Sequence, residues 1–322
     1  MAKTKTPKDF QSLHQKLSSS LQTIVKGQEE VIQFVVLALL NNGHILLEGL
    51  PGLGKTLIAN ALSYIVGAEF KRVQFTPDLM PSDIIGTTVF HYEKNAFVVK
   101  KGPIFTNFLL ADEINRTPAK TQAALLEAMQ EGQVTIDGRN YKLDDPFITI
   151  ATQNPIELEG TYPLPEAQLD RFMCKIIVSY PSAGQEKEML LMFKEGFDSS
   201  RLGDTSLKPV CTKKDLLEYK DSLDSVNVED SIINYIYEII DTTRKTPGIE
   251  VGASPRGGIA LLKISRALAA IRGREFVVPD DVKDSCFPVL RHRIILESSA
   301  ELEGHSADDF LRSVLGRVKV PR

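Results

Sequence analysis

Residues 49–56 read GLPGLGKT and fit the pattern G-x-x-x-x-G-K-[ST] at Gly49, Gly54, Lys55 and Thr56. Glycines let such a loop curl until successive backbone N–H groups point at phosphate oxygens. A helix opening near Lys55 adds its positive dipole end. The Lys55 ammonium would neutralise the β- and γ-phosphates, and the Thr56 hydroxyl is placed for Mg²⁺. The apolar run HILLEG before the loop and KTLIANALSYIV after it supply the strand and helix that this chemistry needs. The loop predicts a nucleoside triphosphate site, against the plainer alternative of a glycine-rich turn with no ligand.

A second element is LLADEINR at 109–116. A carboxylate at the end of a buried strand is costly unless it is paired or faces a metal. Asp112 is suited to hold Mg²⁺ through its water shell. Glu113 beside it is placed to orient and polarise an attacking water as general base, which favours a hydrolase over a small-molecule kinase. Asn154, closing FITIATQN, offers a neutral amide for the γ-phosphate or the water, although Asn before Pro is also a common turn residue. Arg171 and Arg256 are further candidates, because an arginine on the γ-oxygens can be worth about 10³–10⁵ in rate. An arginine after an aspartate is also an ordinary surface ion pair, and spacing alone promotes neither. Gln74 could couple nucleotide state to Glu113 through a hydrogen bond, or be a plain strand-surface glutamine.

The elements that must position these groups follow from hydrophobic periodicity. Residues 8–40 carry apolar positions at three-to-four spacing, with a break at Gly27. Strands are predicted at 44–49, 70–76, 105–113, 147–155 and 175–181, and helices at 55–66, from Thr117–Pro118 to Gly132, and at 166–172. In the third of these helices Arg171 would lie on a helical turn, and in the second Thr117 would be the cap with Pro118 in the first turn. Residues 88–102 alternate around Glu93–Asn95, and 132–143 around Asp137–Gly138, two hairpin signals. Strands alternating with helices predict a parallel α/β sheet with right-handed crossovers. After about residue 182 the strand pattern stops, and four successive helical segments predict an all-helical second domain. The divisions expected are an N-terminal helical segment at 1–22, an α/β core at 23–197, a connector at 198–210 and a helical domain at 211–322.

Composition narrows the function classes. With 322 residues the chain has room for about two domains. A net charge of −4 argues mildly against a dedicated nucleic-acid binder. Cys174, Cys211 and Cys286 stand far apart, in no disulfide or zinc spacing, which points to a reducing compartment. The start MAKTKTPKDF has no apolar segment behind it, and VIQFVVLALL is about half of a membrane span. A cytoplasmic protein without a membrane span is expected.

In this order, the loop, the DE strand, the Asn strand, the arginine of LDRF and the arginine of SPR resemble the AAA+ ATPases. Within them the chain resembles the MoxR group, the one with a helix-2 insert. The segments that carry the likeness include HILLEGLPGLGKT, RVQFTPDLMPSDIIGT, GPIFTNFLLADEINRTPAKTQAALLEAMQEGQVTIDG, FITIATQNPIELEGTYPLPEAQLDRFM and GASPRGGIALLKISRA, and it runs from about residue 20 to about 297. The resemblance implies an AAA+ P-loop core with two inserted β-hairpins followed by an all-α lid. It implies ATP and Mg²⁺ as ligands. Gly49, Leu50, Pro51, Gly52, Leu53, Gly54, Lys55 and Thr56, with Leu57 behind them, match Walker A, and Asp112 and Glu113 match Walker B. Asn154 matches sensor 1 and Arg256 the sensor 2 arginine. Arg171 matches the arginine finger, which in such proteins reaches the nucleotide of a neighbouring subunit. Val25 and Gly27 resemble the segment bordering the adenine.

The likeness further implies a hexameric ring, chaperone-like remodelling of protein clients, and a partner carrying a von Willebrand factor A domain. The hairpins at 88–101 and 132–143 would face the pore or top of that ring, or else merely cover the sheet. Rival readings are a nucleic-acid motor, the motor subunit of a metal-chelatase-like complex, and a nucleotide-switched scaffold. The mixed charges of the hairpin turns, Glu93–Lys94–Asn95 and Asp137–Gly138–Arg139, weigh against the first, although Lys100, Lys101 and Lys142 keep it open.

Overall fold

The computed structural model describes residues 5–155, 160–199, 201–205 and 207–321. The first four residues of the expected N-terminal segment, positions 200 and 206 of the expected connector, residues 156–159 and residue 322 lie outside these, as does the side chain of Lys94.

Helix α1 (Pro7–Ile24) buries Phe10, Leu13, Leu17 and Leu21 along one stripe. The chain turns at Gly27 in a left-handed conformation (φ 71°) before α2 (Glu29–Leu40). Strand β1 (Ile45–Gly49) and helix α3 (Lys55–Ile65) bracket the glycine loop. Then come β2 (Phe70–Gln74), α4 (Pro81–Ile85) and the hairpin β3 (Gly86–His91) and β4 (Ala96–Lys101). Strand β5 (Phe108–Asp112) is buried at every position. A single turn at Ile114–Arg116 leads to α5 (Ala119–Glu131), which Gly132 closes in a left-handed conformation.

The second hairpin, β6 (Gln133–Ile136) and β7 (Arg139–Lys142), turns on Asp137 and Gly138, both at positive φ (47° and 76°), as its Asp-Gly pair requires. Strand β8 (Ile148–Gln153), the short helix α6 (Glu166–Leu169), strand β9 (Cys174–Val178) and helix α7 (Ala183–Lys194) follow. The C-terminal part holds α8 (Lys213–Ser222), α9 (Asp230–Lys245), β10 (Ile249–Val251), α10 (Pro255–Ile271), α11 (Pro279–Leu290), β11 (Ile295–Leu296), α12 (Ser298–Leu302) and α13 (Ala307–Arg317).

Five strands form one parallel sheet in the order β2-β5-β8-β1-β9. The C-terminal ends of β2, β5 and β8 thus lie next to the loop after β1, the crevice where open α/β sheets bind ligands. One face of the sheet packs into a core shared with α1, α2, α3 and the C-terminal helices, and the other packs under α4 and α5. Among the described residues no helix is long and apolar enough to cross a membrane.

Besides the added helices α4, α12 and α13, the structure differs from the sequence expectations in four places. Thr117 does not cap α5. Its hydroxyl donates instead to the Ile114 carbonyl (3.2 Å), closing the turn behind Glu113, and Pro118 takes the cap position without a side-chain bond. Helix α6 stops at Leu169, so Arg171 lies beyond it. Arg293 takes the Asp170 and Phe172 carbonyls (3.1 and 2.7 Å) and withdraws them from further helix. Helix α7 was not anticipated, because it buries none of its residues and shows no apolar stripe, only a capping box between Ser182 and Gln185. The C-terminal region is helical apart from one ribbon, β10 against β11, too short to register as a strand pattern.

Candidate nucleotide site

The loop between β1 and α3 gets its shape from backbone demands. Gly52 and Gly54 have φ of 83° and 79°, conformations that residues with a Cβ rarely adopt. Gly49 has a different reason to be glycine: a Cβ there would lie 2.5 Å from the Val178 carbonyl of β9. Gly54 is the residue before α3, and no side chain caps that helix, so its first N–H groups face the cleft. Lys55 Nζ donates to the Gly49 carbonyl at 2.5 Å and the Gln153 carbonyl at 3.5 Å, across the mouth of the loop.

A cleft of about 470 Å³ opens over this loop. Pro51, Gly52, Gly54, Lys55, Thr56 and Leu57 line it on one side, and Asp112, Glu113 and Asn154 on the other. The sheet order therefore brings three separate motifs, the loop, the acidic pair and the asparagine, into one place. Leu50 and Leu53 are half-buried outside the lining, and Leu53 and Leu57 pack against the core. Val25 and Gly27 do not line the cleft either. Val25 is buried, and Gly27 sits where a Cβ would press on Gln185 and Pro181 at the start of α7.

The acidic pair is tied into a network. Thr152 Oγ1 donates to Asp112 Oδ1 (2.5 Å) and accepts from the Glu113 N–H (2.8 Å). Arg72 donates to Asp112 Oδ2 from Nε (3.0 Å) and Nη2 (2.7 Å). Arg72 Nη2 also donates to Gln74 Oε1 (2.7 Å), and Gln74 Nε2 donates to Glu113 Oε2 (2.6 Å). Arg116 Nη1 donates to the same Glu113 oxygen at 2.9 Å. Glu113 itself has φ 56°, unusual for a residue with a side chain, a strained setting of the kind found at functional positions. Gln74 thus makes the bond to Glu113 that was one of its two readings.

Thr56 and Asp112 are two hard oxygen donors lining one cleft. That sparse set suits Mg²⁺, which takes one or two protein oxygens and fills its shell with water and phosphate.

Arg171 and Arg256 lie elsewhere. Neither lines the nucleotide cleft; both line a second cavity of about 390 Å³ together with His44, Asp170, Lys263 and Arg293. Arg171 Nε is buried and has no hydrogen-bond partner among the described residues. Arg256 is exposed at the start of α10.

Comparison with known proteins agrees with this arrangement. Residues 44–174 match the family described as ATPase family associated with various cellular activities (AAA), and residues 241–314 match the AAA lid domain. Over 313 residues the chain is 41% identical to Chaperone MoxR1 of Mycobacterium tuberculosis, covering 94% of this chain and 81% of that protein. The chain belongs to the MoxR family of AAA+ ATPases. Another similar protein, YeaC of Bacillus subtilis, is 44% identical over 97% of this chain and 96% of its own. The crystal structure of a candidate ATPase from Cytophaga hutchinsonii matches with a TM-score of 0.89 at 40% identity, covering 98% of this chain and 97% of that one.

For a MoxR-family chain, the sequence reading missed Arg72, Arg116 and Thr152 around the acidic pair, and Asn60, Met189 and Phe193 in the cleft wall. Arg72 stands two residues before Gln74, on the same face of β2, but its partner Asp112 belongs to the neighbouring strand. Met189 and Phe193 lie on the unanticipated helix α7.

Proposed function

We propose that this chain is a Mg²⁺-dependent ATP hydrolase that works as a ring of its own copies. The observation that carries this reading is the separation of Arg171 and Arg256 from the cleft holding Lys55, Asp112 and Glu113. One face supplies cradle and base, and another face supplies unspent positive charge. A site completed in this way joins two different faces of one chain, which is a heterologous contact, and such contacts close into rings when the rotation closes. The family likeness makes six the number of copies. Arg256 then acts on the neighbour's nucleotide together with Arg171.

Within the cleft, the loop N–H groups and Lys55 bind the phosphates, and Asn154 holds the γ-phosphate or the water. Glu113 accepts a proton from the water that attacks the γ-phosphorus, and ADP leaves. Bound by Thr56 and Asp112, Mg²⁺ would offset charge developing on the phosphate oxygens. Half-buried Met189 and exposed Phe193, both lining the cleft, suit the flat base of a nucleotide. Val25 and Gly27 would act from behind α7, by setting its position.

The cycle serves the remodelling of protein clients in the cytoplasm, with a von Willebrand factor A domain protein as the expected partner; Chaperone MoxR1 is the relative whose name supports a chaperone role. The β3–β4 hairpin offers a surface for a client: Tyr92 and Phe97 are 88% and 75% exposed and stack edge-to-face with Phe90. The same cluster favours a second reading. Three stacked aromatics on a hairpin whose far end carries Lys100 and Lys101 form a feature the turn residues alone did not reveal, and it is also suited to unpaired bases. ATPase stimulation by single-stranded DNA or RNA, falling steeply with salt, would support that alternative.

Two variants test the proposal. Lys55→Ala should abolish binding of a fluorescent ATP analogue. Glu113→Gln should keep that binding while turnover drops by about 10²–10⁴. Normal turnover by Glu113→Gln would remove the glutamate from the role of base.

A further inference from the structure

Asp112 is the acid assigned to the metal in the reading above, and the inference drawn next rests on that reading. An ionised carboxylate has about four acceptor positions. At Asp112 three of them are engaged: Oδ2 accepts two N–H groups of Arg72, and Oδ1 accepts the Thr152 hydroxyl. The bonds then continue from Arg72 to Gln74, from Gln74 to Glu113, and from the Glu113 backbone back to Thr152. Both carboxylates therefore sit in one closed circuit, whose charges are balanced by Arg72 and Arg116.

The two sides of the Asp112 contact are unequal. The Asp112 side chain is 12% exposed and anchored by Thr152, whereas the Arg72 side chain is 49% exposed. Arg72 can swing into solvent at little packing cost, and Asp112 cannot. A clip needed only to fix the strand end would be redundant, since Thr152 already fixes that carboxylate from inside the sheet.

We propose that Arg72 is a displaceable counter-ion of the metal-facing carboxylate, whose departure frees Oδ2 for a divalent cation or its water, so that Arg72 sets the metal affinity of the nucleotide site. Because its Nη2 also reaches Gln74, its departure removes a link that holds Glu113. Readiness of the base is thereby tied to occupation of the acid. An arginine paired with a carboxylate at this degree of exposure competes modestly, and its removal is expected to change metal affinity about three- to tenfold.

The test is the dissociation constant of a non-hydrolysable ATP analogue, measured for the full chain in EDTA and in Mg²⁺. The ratio of the two constants reports how strongly metal and nucleotide support each other. Arg72→Ala is expected to raise this ratio about three- to tenfold, with Arg72→Gln raising it as well and Arg72→Lys falling between. Binding in EDTA also verifies that each variant is folded. A ratio that stays at the wild-type value, or falls, overturns the proposal and makes Arg72 a clip that positions Asp112. Failure of the wild-type chain to bind the analogue in either condition would instead overturn the nucleotide reading itself, and equal binding in EDTA and Mg²⁺ would overturn the metal role of Asp112.

Discussion

Gln74 Nε2 donates to Glu113 Oε2 at 2.6 Å, joining the end of β2 to the residue just after β5. The parallel register sets Gln74 beside Asp112, so the glutamine reaches the next residue along. Arg116 donates to the same glutamate oxygen. Both donors occupy the same oxygen, so while they hold it that oxygen is turned from an attacking water. The bond is therefore a restraint on the base. Gln74→Ala is expected to raise basal ATP turnover about two- to fivefold and leave the affinity for a non-hydrolysable analogue unchanged. Steady-state phosphate release and analogue binding check both halves. A drop in turnover would make Gln74 a support of the active geometry.

Asp281, fully buried in the helical region, accepts from Arg272 (2.8 Å), from both terminal nitrogens of Arg274 (2.7 and 2.6 Å) and from the Val278 N–H (3.0 Å). Removing the carboxylate leaves two arginines and a helix start without their shared acceptor. Asp281→Ala should cost about 2–4 kcal/mol of stability, read in chemical denaturation, with no direct effect on the nucleotide cleft.

The ring of His44 accepts the Thr149 N–H at Nδ1 (3.0 Å), so Nε2 carries the proton donated to the Met129 carbonyl (3.0 Å). Burial pushes its pKa down to about 4, partly opposed by the bond to Met129. His292 shifts in the same direction, through burial first and then the charge of Arg293. With folded values below the ordinary 6.5, the unfolded chain binds more protons between about 4 and 6.5. Stability is thus complete above pH 6.5 and is lost as the pH falls toward 4. Melting temperature should decline over that window, and His44→Gln should flatten the decline. A melting temperature independent of pH there would contradict the assignment.

Parts of this molecule were legible in the sequence for physical reasons. Gly52 and Gly54 take conformations that other residues avoid, and the loop chemistry demands Lys55 and Thr56 beside them, so the residue types announce the site. The strand ending in Asp112 is an apolar run, and the one leading to Asn154 is buried through Thr152, because both faces of the sheet are covered. Arg72 and Thr152 stayed hidden, since they meet Asp112 only through the neighbour order β2-β5-β8, which no local pattern encodes. Helix α7 escaped because Leu190 and Phe193 are exposed, leaving no buried stripe to betray a period. The end of α6 is set by Arg293, more than a hundred residues away in sequence.

The most direct test of the shared site is complementation between two inactive chains. Lys55→Ala lacks the phosphate cradle but retains Arg171, and Arg171→Ala retains the cradle but lacks the arginine. Each alone should turn over ATP about 10³-fold or more below wild type. In an equal mixture a productive contact needs an Arg171→Ala cleft facing a Lys55→Ala neighbour, which random assembly supplies at about one contact in four. The predicted result is recovery of roughly a quarter of wild-type turnover on mixing. A mixture as inactive as its components, or an Arg171→Ala chain as active as wild type, would contradict a site completed by a second copy.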